Sequence, residues 1–150
     1  MQELTGDLWT VVPTGYHEVW RGVTTNGVVN NGQLIMGAGT AKQAKDKFPS
    51  LPLILGGLVE HMDGNIPYYI HVDDADPIFS FPTKNHYRSK SDEKLIMKSA
   101  ISLANKAILN PGDAFILPRP GVGLGGLDWK NIRPILLTLL PDNVFIVNKE

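Results

Sequence analysis

Apolar positions fall into two kinds of run along the chain. Short stretches rich in β-branched and aromatic residues recur at 18–29, 68–72, 78–81, 114–117 and 144–147, and each predicts a strand. Between them the spacing changes to three and four. From Ser91 onward Ile96, Ala100, Leu103, Ala104, Ala107 and Ile108 share one helical face, with Ser91 as the expected N-cap and Asp92 and Glu93 in the first turn. Asn110-Pro111-Gly112-Asp113 ends that helix. Another helix is predicted over 39–48, with Ala41, Ala44 and Phe48 inward and Lys42, Lys45 and Lys47 outward; Pro49 and Pro52 then turn the chain into a further helix ending near His61. Asp128 is placed to cap a helix beginning near Trp129, which Pro134 is expected to kink. Strands alternating with helices indicate an α/β fold, undivided by repeats or low-complexity linkers.

Composition narrows the chemistry. With 150 residues and 43% of them hydrophobic, the chain fits one domain that buries about 70% of the surface its unfolded form exposes. There are no cysteines, so disulfides, thiolate metal sites and cysteine nucleophiles are excluded, and the four histidines show no H-x-x-x-H spacing. No metal site and no cofactor are expected. "HVDDADP" (71–77) is metal-like in composition but lacks calcium-loop spacing, and reads as a solvated turn between strands. Trp9, Trp20 and Trp129 are expected in the core or a cleft wall. The first residues lack a basic and then apolar leader, and no apolar run approaches the roughly 18 residues of a membrane span. The expectation is a cytoplasmic monomer with no membrane contact. A net charge of −1 gives no global attraction for nucleic acid, which leaves a local patch, Lys84, His86, Tyr87, Arg88 and Lys90, as the place for phosphate contacts.

Glycine carries the sharper signal. Gly121, Gly123 and Gly126 satisfy G-x-G-x-x-G, but only 24 residues follow Gly126, too few for the rest of a dinucleotide-binding half. No Walker sequence, G-x-S-x-G or paired carboxylate occurs. "IMGAGTA" (35–41) and "PGVGLGGLDW" (120–129) both lead from a strand into a helix through glycine, so both can offer free backbone N–H groups to an anion. Together they could cradle a diphosphate. The alternative is that these glycines serve only tight turns and close helix-sheet packing.

Four segments taken in order, "GDLW", "NNGQLIMGAGTAKQAKDKFP", "FPTKNHYR" and "LPRPGVGLGGLDW", resemble a macrodomain over nearly the whole chain. The resemblance is to the branch containing the terminal ADP-ribose protein glycohydrolases and the DarG-type antitoxins that remove ADP-ribose from DNA. It implies a single domain over 1–150, a three-layer α/β/α fold with a mixed, roughly six-stranded sheet, and ADP-ribose in a cleft at the strand ends. Asp7 matches the carboxylate that accepts a hydrogen bond from the adenine amino group, with Leu8 beside it; as an alternative, Asp7 caps the following turn. Asn31 matches the polar position facing the distal ribose, with a catalytic part, and Gly37, Ala38 and Gly39 match the first phosphate-side loop. The second loop is Arg119, Pro120, Gly121, Val122, Gly123, Leu124 and Gly125.

Lys84, behind Thr83, matches the lysine that this branch uses at the anomeric carbon of the distal ribose. A neutral amine could capture that carbon covalently, and a cationic one could stabilise the departing group. The protein-directed enzymes place an aspartate in the second loop where this chain has Gly125, so the resemblance favours a nucleic-acid adduct, with His86, Tyr87 and Arg88 touching the nucleic acid, possible as a single strand. The implied function is hydrolysis of ADP-ribose from a modified macromolecule. The alternatives are a phosphatase acting on ADP-ribose 1''-phosphate and a non-catalytic ADP-ribose reader.

Overall fold

The computed structural model describes residues 1–149. Its strands are β1 (Gln2–Thr5), β2 (Val19–Thr25), β3 (Val29–Asn30), β4 (Gln33–Leu34), β5 (Tyr69–Val72), β6 (Asp76–Pro82), β7 (Ala114–Pro118) and β8 (Val144–Asn148). Six of them make one sheet in the order β1-β8-β7-β2-β6-β5, while β3 and β4 pair as a separate hairpin. Neighbours in the large sheet run parallel except β5, which is antiparallel to β6. The sheet is therefore mixed.

Helices α1 (Gly39–Lys47) and α2 (Leu51–His61) cover one face, and α3 (Glu93–Leu109) and α4 (Trp129–Leu139) the other. The strands dictate this arrangement through their period of two. Phe115 and Leu117 of β7 and Val144 and Ile146 of β8 enter the core shared with α3 and α4, whereas Ala114, Ile116, Phe145 and Val147 enter a cluster with Leu8 on the opposite face. In β6, Phe79 and Phe81 face α3, and Ile78 joins Ala41, Ala44, Leu51 and Leu55 of α1 and α2. Strands buried on both faces read as continuous apolar runs, which is why they were legible. A side chain at Gly22, in the middle of β2, would collide with Phe79 and Leu117, so these two neighbours close the sheet over the bare strand. Trp20 lies in the core, stacked on Phe115 with centroids 6.2 Å apart.

The elements depart from the sequence expectations at three places. The run at 18–29 is two strands, because Asn26 breaks it: its side chain accepts from the Val28 N–H (2.8 Å) and donates to the Ile35 carbonyl (2.8 Å). β1 and β4 are short and were not predicted. The N-cap of α3 is Asp92, not Ser91, since the Asp92 carboxylate accepts from the Lys94 N–H at 2.9 Å. Pro134 lies inside α4, which continues through it as one helix. The "HVDDADP" segment is the tight β5–β6 turn, with Asp73 and Asp74 in the left-handed region and exposed.

Candidate functional site

Parallel strands put their carboxyl ends on one edge of the sheet, and ligands of open α/β sheets bind outside that edge. A cleft of about 510 Å³ opens there, at the ends of β7, β2 and β6. That volume suits a nucleotide-sized ligand. Thr24, Thr25 and Asn26 leave β2 into the cleft, Thr83 and Lys84 leave β6, and Pro118 and Arg119 leave β7. Gly37, Ala38, Gly39 and Thr40 form one wall at the start of α1, and Gly121, Val122, Leu124 and Gly125 form the other. Tyr87 stands at the mouth.

The α1 end is open to an anion. Ala38 at its N-cap supplies no side-chain hydrogen bond, no acidic residue lies in the first turn, and the helical ladder begins with Lys42 donating to the Ala38 carbonyl (3.2 Å). The preceding N–H groups of the first turn are thus free to bind an anion, with the positive end of the helix dipole behind them. The second loop differs from expectation. It does not run directly into a helix end: Gly123–Gly125 form a 3₁₀ turn, and the start of α4 is closed by Asp128, whose carboxylate accepts from the Lys130 N–H (3.1 Å).

Why each glycine is a glycine separates structure from ligand. Gly121 has φ +76°, and a Cβ there would lie 2.7 Å from Ile96 and 3.0 Å from Leu127, so the fold itself demands it. At Gly125 a side chain would collide with the Ser91 hydroxyl. Gly37 is different. Its backbone is outside the left-handed region and a Cβ there would meet nothing within 4 Å, yet it lines the cleft. Protein packing gives no reason for a missing side chain at this position.

A chain of backbone hydrogen bonds ties the walls together. Ser91 N–H donates to the Gly125 carbonyl (2.9 Å), Asp92 N–H to Thr83 (2.8 Å), and Thr83 N–H to Thr25 (3.0 Å). The segment carrying Lys84 is also held from outside, where Gly27 N–H donates to the Asn85 carbonyl (3.1 Å) and the Asn65 amide to the Lys84 carbonyl (3.1 Å). Lys84 is half-buried.

Of the other predicted residues, Asp7, Leu8, Asn31, Pro120, Gly123, His86 and Arg88 lie off the cleft lining. Asp7 follows β1 on the same carboxyl edge of the sheet, beyond β8. Its Oδ1 accepts from the Trp9 N–H (2.8 Å), so it does cap the following turn, while Oδ2 faces Lys149 at 3.9 Å. Leu8 is buried, and its carbonyl accepts from the Arg21 guanidinium (2.6 Å), which also reaches Val11 (2.8 Å). Burial pulls the Arg21 pKa below its usual value, and Asp7 opposes that shift. Asn31 occupies the exposed β3–β4 turn with φ +52°, outside the cleft. Pro120 and Gly123 are also absent from the lining. Arg119 stacks over Trp129 at 4.7 Å. His86, Tyr87 and Arg88 form an exposed stack at the mouth, with His86 and Tyr87 centroids 4.4 Å apart and the Arg88 guanidinium 5.7 Å from the Tyr87 ring.

Sequence reasoning missed Thr24, Thr25, Asn26, Thr40 and Ser91 as lining residues. The signal available for the first three was the polar Thr-Thr-Asn at the end of an apolar strand. Among the described residues no group of three or more His, Asp or Glu side chains is placed to hold a metal ion, and no helix is long and apolar enough to cross a membrane.

Fold, cleft and open helix end together define a macrodomain-type α/β/α architecture. Solved structures agree. The macrodomain of Thermus aquaticus DarG matches with a TM-score of 0.74 and 24% identity, over 99% of this chain and 97% of that one. The macrodomain of Mycobacterium tuberculosis DarG matches with a TM-score of 0.73 and 22% identity, over 99% of both chains. Thermosipho africanus DarTG, solved in complex with ADP-ribose, matches with a TM-score of 0.71 and 24% identity; the match covers 89% of this chain but 38% of that one. A scan against protein-family models and a search of curated proteins give no match. The chain has the macrodomain fold.

Proposed function

We propose that the protein binds ADP-ribose in this cleft and hydrolyses it from a modified macromolecule, with ADP-ribosylated DNA preferred to ADP-ribosylated protein. The observation that carries the binding half is Gly37, a cleft glycine that packing does not require, beside the uncapped α1 end. In this reading the diphosphate lies on the N–H groups of the first turn of α1 and the adenine extends along the sheet edge toward Asp7 and Leu8. The solved complex of Thermosipho africanus DarTG with ADP-ribose supports the ligand class. The ribose-facing wall is formed by the β2 end, Thr24 to Asn26, rather than by Asn31, which lies in the exposed turn.

Lys84 carries the reaction in this proposal. The bond from the anomeric carbon to the macromolecule breaks through an oxocarbenium-like state, and water supplies the hydroxyl that replaces it. Preference for a nucleic acid is supported by the His86–Tyr87–Arg88 stack, since an aromatic face and a guanidinium offer a base a stacking surface and a phosphate a cation. Gly125 supports it from the other side, because the carboxylate used by the protein-directed enzymes has no counterpart there.

The test is parallel incubation of parent and Lys84→Ala with ADP-ribosylated DNA, ADP-ribosylated protein and ADP-ribose 1''-phosphate. Release from DNA by the parent alone, with free ADP-ribose affinity changed less than about tenfold (about 1.4 kcal/mol) in the variant, is the expected result. Full turnover by Lys84→Ala overturns the catalytic assignment. Phosphate release would make the protein a phosphatase, and binding without turnover a reader. Lys84→Arg separates the two chemistries: a guanidinium stays protonated and cannot attack, so retained turnover means the lysine acts as a cation.

A further inference from the structure

Ser91 is 6% exposed and lines the cleft, yet its hydroxyl is buried without a hydrogen-bond partner among the described residues. Other buried serines differ. Ser99 donates to the Pro82 carbonyl (2.8 Å) and Ser80 accepts from the Tyr68 N–H (2.9 Å). Nor does Ser91 cap α3, since Asp92 does. A buried hydroxyl with no partner is a net cost to the fold, so its place needs another reason.

Its surroundings supply one. The Ser91 N–H holds Gly125 of the second loop, and the next N–H, of Asp92, holds Thr83, the residue before Lys84. The hydroxyl therefore sits where the Lys84 segment meets the glycine loop. A side chain at Gly125 would run into it, and one at Gly121 would come within 3.2 Å of the Ser91 Cβ, so both bare positions leave room for this side chain. A diphosphate oxygen only accepts, and is matched by N–H groups at the α1 end. The ribose beyond it carries adjacent hydroxyls that both donate and accept, and a serine hydroxyl does the same.

Resting on the ADP-ribose reading above, the geometry points to Ser91 as a ligand-binding residue whose hydroxyl hydrogen-bonds the ribose next to Lys84. In the ligand-free structure the hydroxyl is closed off from solvent against Gly125, and because it has no protein partner, a turn about χ1 toward the cleft would break no hydrogen bond.

The experiment compares Ser91→Ala with the parent by calorimetric titration of ADP-ribose and of ADP, and by thermal unfolding of the ligand-free proteins. The expected result is ADP-ribose affinity lower by about three- to tenfold, unchanged ADP affinity, and an unfolding temperature equal to or above the parent's. A lower unfolding temperature with both affinities unchanged would make the hydroxyl a structural group and overturn the inference. Equal losses for ADP and ADP-ribose would assign it to the diphosphate and overturn it too. A parent that binds neither ligand would remove the ADP-ribose reading itself, and this inference with it; the parent titration alone reveals that failure.

Discussion

Replacing Gly37 by alanine should move folding and binding in opposite directions. The position lines the cleft, its backbone lies outside the left-handed region, and a Cβ there has open space within 4 Å. No steric or backbone cost offsets the entropy that alanine removes from the unfolded chain, so the ligand-free variant gains about 0.4–1 kcal/mol. For a chain of this length that raises the unfolding temperature by about 1–4 °C. Binding responds with the other sign if the added methyl takes up cleft space beside the α1 end, where the diphosphate is assigned. ADP-ribose affinity should fall at least about tenfold, or about 1.4 kcal/mol, and Gly37→Val should lose it almost entirely. Differential scanning calorimetry reads the first quantity and isothermal titration the second. A destabilised alanine variant would show that the fold does need this glycine. A stabilised alanine variant whose affinity, like that of the valine variant, matches the parent's would leave the open space without a ligand and refute the argument.

Gly121→Ala should be destabilised by about 2–4 kcal/mol in chemical denaturation, the left-handed backbone and the crowding at Ile96 and Leu127 adding together, whereas Gly123→Ala, at φ +74° with nothing nearby, should cost only about 1–2 kcal/mol. Arg88→Ala should weaken an ADP-ribosylated oligonucleotide more at low salt than at high salt and leave free ADP-ribose unaffected; an effect on free ADP-ribose would move this residue from the mouth to the ligand site. The Arg133 guanidinium, 2.9 Å from Glu3, lowers the Glu3 pKa chiefly by hydrogen bonding. A lowered folded-state value means stability present above the unfolded pKa of about 4.3 and lost as pH falls through the folded value. Glu3→Gln should therefore cost less than about 1 kcal/mol at pH 7 and nothing at the acid end of a pH series, this pair being largely exposed.

What was legible in the sequence is what neighbouring residues decide. β6, β7 and β8 announce themselves because both faces are buried, α1 and α4 begin at their predicted starts, and α2 ends at His61 as predicted. β1 carried no such pattern: three of its four residues are exposed at the sheet edge, so little apolar spacing marks it. Ser91 and Asp92 are equally good caps by chemistry, and only the structure shows that the Asp92 side chain accepts from the Lys94 N–H while the Ser91 hydroxyl has no partner. The same rule governs the site. Contiguous motifs delivered Gly37 to Gly39, Thr83 with Lys84, and much of 119–125. Thr24, Thr40 and Ser91 become neighbours of those motifs only through sheet pairing and helix docking across long stretches of chain. Asn31 was misdirected toward the ligand because a hairpin of β3 and β4, invisible in so short a pattern, carries it outward.

The line of hydrogen bonds from Gly125 through Ser91, Asp92 and Thr83 to Thr25 makes the inner cleft behave as part of the sheet. Its amides should exchange with solvent only in openings as rare as those of the core strands, before and after a ligand arrives. On the proposed function, a cleft tied in this way would adapt little to different attachments on a bound ribose. Under the function proposed above, discrimination between carriers of the modification would then fall to the exposed residues 86–88, which lie outside this hydrogen-bonded line.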